Sequence, residues 1–265
     1  MVCWRRGSAK TRRYLLWPTD RGHWIIGYPE TALADADHAL SDARKIGQAA
    51  TLMFALFIPT WTYINCGKYA EVNTLTDELV ALADEKGALV WKAGAKVYHG
   101  WVLVLTDQPS EAVQTITPGL TALRSAGTTL FVPLYLSTLA RAYAELHRFD
   151  DAWRCIGEAL MAIETSGERW FEAEANRVAG EIARKSPRPD PAKAEKYFEG
   201  ALAVARQQQA KSWELRAAMS MARLWRDQGK QVEARDLLAP VYGWFTEGFD
   251  TRDLKEAKAL LDALC

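Results

Sequence analysis

The sequence predicts an all-α solenoid of helix–turn–helix repeats with a period of about 40 residues. Three observations carry this. Gly47, Gly87, Gly127 and Gly167 recur at one spacing, and the same step links Leu40, Val80, Leu120 and Leu160, and Ala32, Val72, Ala112 and Ala152. The 42 Ala and 29 Leu outweigh 17 Gly and 10 Pro, a balance that favours helix because Ala and Leu lose little entropy on entering one. No long stretch alternates apolar and polar residues as a half-buried strand would.

Taken in order, residues 1–23 do not fit the repeat. They hold Arg5, Arg6, Lys10, Arg12, Arg13 and Arg21 against the single acid Asp20. Such a segment reads either as a basic arm or as a non-native start, and the second is favoured because a first helix is expected here and is not visible. Residues 24–250 form the array. Its first unit lacks a clear first helix, and its second carries Pro59 inside the first helix. In the third, Gly100 precedes Ala112 and Ile116. In the fourth, Leu134, Leu136, Leu139, Ala140, Tyr143 and Ala144 have helical spacing, and His147 to Asp150 interrupt them. Asp150 or Asp151 is expected to cap the following helix, which carries Ala152, Ile156, Ala159, Leu160 and Ile163 and is closed by Gly167. In the fifth unit the register slips at Ser186-Pro-Arg-Pro-Asp-Pro191, read as a loop with Asp190 and Pro191 opening the next helix. The sixth holds Ala222, Trp225, Gly229 and Ala234, and residues 251–265 read as a capping helix over the last apolar face.

Within the units, Leu139-Ala140-x-x-Tyr143 followed by Phe149, Ala152, Ile156 and Ala159 resembles the tetratricopeptide repeat (TPR), as do Gly180, Ala194, Phe198 and Ala201. The small residue lets a neighbouring helix seat a large side chain in the gap. The period exceeds the 34 residues of that repeat, and Gly replaces its terminal proline. Over about residues 24–264, and most specifically from Glu168 onward, the chain resembles the C-terminal tail of bacterial signalling ATPases of the class III adenylate or guanylate cyclase or transcriptional-activator type. Ala210 to Lys230, Ala234 to Asp250 and Asp253 to Leu261 carry that resemblance. It implies a tail whose cyclase or ATPase domains lie outside this chain.

The chemistry-bearing motifs are absent from the sequence. Gly7 to Thr11 lacks the glycines of a phosphate loop, and there is no GxGxxG, HExxH or GxSxG. Cys3, Cys66, Cys155 and Cys265 have no short spacing, and His23, His38, His99 and His147 lie in different units. No catalytic residue, cofactor or metal is therefore expected. The charge balance of 33 basic against 33 acidic residues argues against nucleic acid as partner. The most apolar run, Leu52 to Ile64, is too short to cross a membrane, and no signal peptide is visible, so a cytoplasmic protein is expected.

A surface remains. The first helices of TPR units line the concave side, and one column there runs Trp61, Trp101, Arg141, Glu181 and Arg223. Neighbouring columns add Phe54, Phe57 and Val97 early and Arg177, Arg184, Arg216 and Arg226 later. The candidate partner groove is thus Phe54, Phe57, Trp61 and Trp101 at one end and Arg141, Arg177, Arg216 and Arg223 at the other. It suits a protein or peptide segment that is partly apolar and partly acidic, the parent protein's own ATPase domain included. The same residues also read as packing in a tightly wound superhelix beside a solvated charged face.

Overall fold

The computed structural model describes residues 19–264. Among them there is no strand, and the helices follow one another as antiparallel pairs. The pairs are α1 (Thr19–Ile26) with α2 (Pro29–Ile46), then α3 (Ala49–Phe57) and α4 (Thr60–Asn65) with α5 (Tyr69–Lys86). Next come α6 (Leu89–Leu105) with α7 (Pro109–Ser125), and α8 (Val132–Glu145) with α9 (Phe149–Ser166). A 3-10 turn (Arg169–Phe171) leads to α10 (Glu172–Lys185) with α11 (Pro191–Gln207), then α12 (Lys211–Asp227) with α13 (Gln231–Tyr242), and α14 (Arg252–Asp262) ends the array. The protein is an all-α, TPR-like solenoid.

Local chemistry accounts for the boundaries. Gly47, Gly87 and Gly167 end their helices at φ +70°, +66° and +72°, in the left-handed region where a side chain is costly. Asp190 caps α11 by accepting from the Lys193 N–H, and Pro191 takes the first turn, where its missing N–H is not needed. Pro59 interrupts the second unit's first helix and divides it into α3 and α4. Two expectations are corrected. Asp150 and Asp151 lie in the first turn of α9, and the residue at its cap is Arg148, whose side chain makes no capping bond. The first unit does have a first helix: α1 begins at Thr19, so the boundary placed at residue 23 falls inside it. The rest of the basic segment lies outside the described residues.

Small residues set how closely the helices of a pair approach. A Cβ on Gly100 would stand 2.4 Å from Ile116 Cγ1, and one on Gly180 would stand 2.4 Å from the Phe198 ring. These glycines hold their places because the neighbouring helix has already filled the space.

The array winds tightly enough for its ends to meet. Trp24 of α1 packs edge-on against Trp61 of α4 (ring centroids 5.1 Å) and against Trp213 of α12 (4.8 Å), with Trp170 5.9 Å from Trp61. Polar contacts close the same seam. The Thr31 N–H and hydroxyl donate to Glu247 at 2.9 and 3.1 Å, the Gly248 N–H donates to Glu30 at 2.7 Å, and the Ser212 hydroxyl donates to the Trp24 carbonyl. Arg21 lies over the Phe131 ring (4.5 Å) and donates to Tyr98 Oη at 3.1 Å, so this arginine is part of the interior and not of a free arm. Beside it Asp20 is almost fully buried and accepts from Thr62 Oγ1 at 2.9 Å.

Two outcomes test this packing. Trp24→Ala removes the side chain shared by the first, second and sixth units and is expected to cost about 3–5 kcal/mol, read as a lower urea midpoint. Burial raises the Asp20 carboxyl from 3.8 to about 6, against the pull of Thr62 and Arg21. A raised folded-state value contributes stability that is complete below the ordinary 3.8 and lost as pH rises through about 6. Asp20→Asn should therefore gain on the parent protein by about 3 kcal/mol more at pH 7 than at pH 3.5, in paired denaturation curves.

Candidate functional site

The inner faces of the first helices and the N-terminal turn of α14 enclose a basin of about 320 Å³. Ile64 and Asn65 come from α4, Tyr69 from α5, and Trp101 and Leu105 from α6. Arg141 comes from α8, Arg177, Glu181, Arg184 and Lys185 from α10, Arg216, Met219 and Arg223 from α12, and Arg252, Asp253 and Glu256 from α14. The residues are inward-facing because each helix buries its apolar stripe against its pair-mate and its neighbours, leaving the opposite stripe to the axis.

The structure brings Trp101, Arg141, Arg177, Arg216 and Arg223 around this one cavity. It does not bring the other aromatics there. Trp61 is 0% exposed beneath Trp24, Trp170 and Trp213, and Phe57 stacks on Tyr98 at 4.5 Å. Phe54 packs near Trp91 (5.9 Å), and Val97 is buried. Trp61, Phe57 and Val97 are filling at that level, and Phe54 is half-buried beside Trp91, outside the basin lining. Arg226 lies outside the basin wall and pairs with its neighbour Asp227 at 3.0 Å. Sequence reasoning missed Asn65, Tyr69, Glu145, Lys185, Arg252, Asp253 and Glu256. The last three stand on a helix read only as a cap, and no periodicity could show that it closes against the second unit.

The charges are strongly paired, with one exception. Arg177 donates twice to Glu174 at 2.7 Å and lies 3.7 Å from Glu181. Burial works against ionising Glu174, which is 4% exposed, but the Arg177 charge overrides it and holds the carboxyl below its usual range. Glu181 is lowered in the same way, its burial outweighed by Arg177, Arg184 and the Ser220 hydroxyl. Arg216 donates to Asp253 at 2.7 Å and Asn65 Oδ1 at 2.9 Å, and its guanidinium lies 4.8 Å over Trp24. Arg252 donates to Tyr69 Oη at 2.8 Å and shares Glu256 with Arg223. Lys185 pairs with Glu145. Arg141, half-buried on the basin wall, makes no side-chain hydrogen bond or ion pair among the described residues. Burial, and then repulsion from Arg177, lowers its guanidinium to about 10, and Glu174 offsets this only in part.

Among the described residues no group of three or more His, Cys, Asp or Glu side chains is placed to hold a metal ion, and no helix is long and apolar enough to cross a membrane. The basin wall is cationic in surplus and apolar along Ile64, Trp101, Leu105, Val178, Ile182 and Met219.

The fold is similar to that of RapI, a TPR-like helical-repeat protein, in the crystal structure of its apo form. The TM-score is 0.62 at 13% sequence identity, over 97% of this chain and 86% of RapI. At that identity the likeness establishes the fold. No family model matches the sequence. No curated protein matches it.

Arg177→Met should strand Glu174, while Glu181 keeps Arg184 and the Ser220 hydroxyl, and cost about 3–5 kcal/mol at neutral pH. Because their folded-state carboxyls are held low, the stability they supply is present above the ordinary value and lost as pH falls through the lowered one. The cost of the variant should accordingly shrink on acidification, when the stranded carboxylate takes up a proton. Arg141→Met strands no partner and should change stability by less than about 1 kcal/mol.

Proposed function

We propose that this protein is a non-catalytic interaction module whose basin takes an acidic, partly apolar segment of a partner protein. The observation that supports this is the charge imbalance of the enclosed wall. Seven cationic side chains (Arg141, Arg177, Arg184, Lys185, Arg216, Arg223, Arg252) face four carboxylates in the lining, with Glu174 behind Arg177. An acidic segment would complete the pairing, with its apolar side chains against Trp101, Leu105 and Met219. Charge would speed and orient its arrival, and apolar burial would hold it. The resemblance from Glu168 onward supports reading the chain as the tail of a larger signalling ATPase or cyclase, with that protein's own ATPase domain as the partner and the cytoplasm as the compartment. On this reading the chain alone neither hydrolyses nor cyclises ATP.

The test displays short acidic, neutral and basic peptides, each with two or three apolar residues, to the full chain. Acidic peptides should be retained selectively, and retention should fall as salt is raised from low to physiological ionic strength. Arg223→Glu, at the basin rim, should weaken retention at low salt more than at high salt. Equal retention of basic and acidic peptides, or indifference to Arg223→Glu, would overturn the reading.

A further inference from the structure

The pairing pattern singles out one residue. Each of the other basin cations is held by a carboxylate: Arg177 by Glu174, Arg184 by Glu181, Lys185 by Glu145, Arg216 by Asp253, and Arg223 and Arg252 by Glu256. Arg141 lines the same basin and, among the described residues, makes no hydrogen bond or ion pair, Glu174 acting on it only at longer range. A guanidinium is always charged near neutral pH, and withdrawing it from water without a partner is unfavourable. Arg141 is only half-buried; burial and the Arg177 charge lower its guanidinium to about 10, still far above neutrality, so it keeps its charge with its donors open to the basin.

We propose that Arg141 is the anchor of an oxyanion site, and that the basin takes a small organic anion whose single carboxylate or phosphate group lies on the Arg141 fork with its apolar body against Trp101 and Leu105. A planar guanidinium presents two parallel N–H donors that match either oxyanion. The basin volume of about 320 Å³ lies at the lower end of small-ligand pockets and suits a ligand of a few carbon atoms around one anionic head. The neighbouring arginines are held by their own carboxylates, so they supply field without competing for the ligand. The free basin at Arg141 and the apolar wall from α6 are continuous, which sets the order of the ligand: anion on α8, hydrocarbon on α6. This deepens the reading of the basin as a binding surface and rests on it. The head group could equally be an acidic side chain of the bound segment or a free metabolite.

The experiment titrates the full chain with acetate, hexanoate and inorganic phosphate against sodium chloride at matched ionic strength. Affinity is followed by calorimetry and by the rise in melting temperature that binding to the folded state must cause. Hexanoate should bind more tightly than acetate, through its apolar tail. Arg141→Met should weaken whichever oxyanion binds by about tenfold or more, the scale of a charge-assisted hydrogen bond. Arg141→Lys, which keeps the charge but not the fork, should fall between. The carboxylate and phosphate arms identify the head group. Unchanged affinity in both variants, or no effect of any of the three anions beyond that of chloride, would overturn the proposal. Unchanged small-anion affinity in Arg141→Met together with full retention of acidic peptides would overturn it while leaving the basin's role as a binding surface intact. Loss of peptide retention in the parent protein, with the small anions still bound at Arg141, would do the reverse.

Discussion

The contact between Trp24, Trp61 and Trp213 governs this structure. It joins the first, second and sixth units, which are remote in sequence, and it fills the axis of the superhelix at one level. A solenoid usually contacts only its neighbours along the array. Here the first and last pairs also meet, and the contacts at Thr31–Glu247, Glu30–Gly248 and Arg252–Tyr69 all depend on that meeting. Close approach within the pairs makes it geometrically available, since Gly100 and Gly180 let Ile116 and Phe198 sit where a side chain would otherwise stand. Buried aromatic area contributes most of the free energy, and edge-to-face geometry adds to it.

Closure also explains the electrostatics. Surface ion pairs in water are worth little, and several on the outer helices, such as Lys45–Asp42 and Lys258–Asp262, belong to that class. Glu174 and Arg177 differ because they have been taken from water together. Their mutual attraction is stronger in the enclosed wall, and so is the penalty for separating them. Arg216 shows how one side chain is fixed from three directions. Asp253 neutralises it, Asn65 orients it, and the faces of Trp24 and Trp213 lie beneath it at 4.8 and 5.2 Å. The tryptophan cluster that closes the array thus also forms the floor on which the basin's charges rest.

Much of the local structure was legible in the sequence, because helix ends and pair crossings are set by residues close together in the chain. The glycine columns marked the left-handed helix ends. Asp190-Pro191 marked the start of α11, and Pro59 marked the break between α3 and α4. His147 was readable as a turn residue from its alignment with Gly67 and Gly229, and it adopts φ +57° beside their +78° and +80°. The helix α1 escaped notice because it is short and its apolar signal is little more than Trp24, Ile25 and Ile26. The capping residue of α9 was misplaced because acidic residues favour both the cap and the first turn, and the pattern alone does not separate the two.

The site was only half legible, for a reason that lies in superhelical pitch. Aromatic and basic residues were read as two ends of one groove, since they occupy early and late units along the chain. A closed array turns that sequence gradient into a depth gradient. Asn65 of the second unit and Arg216 of the sixth become hydrogen-bonded neighbours. The same closure carries Arg252, Asp253 and Glu256 across to face Asn65 and Tyr69. The column read as facing the axis is buried at the level of Trp61 and lies on an open wall at the level of Arg141. Pitch is a sum of small rotations over all six pairs, each set by side-chain volumes at a crossing. A single residue column reports its own crossing and not that sum. The level at which the axis fills, and hence which inward residues remain free to meet a partner, follows only when the first and last units are seen to touch.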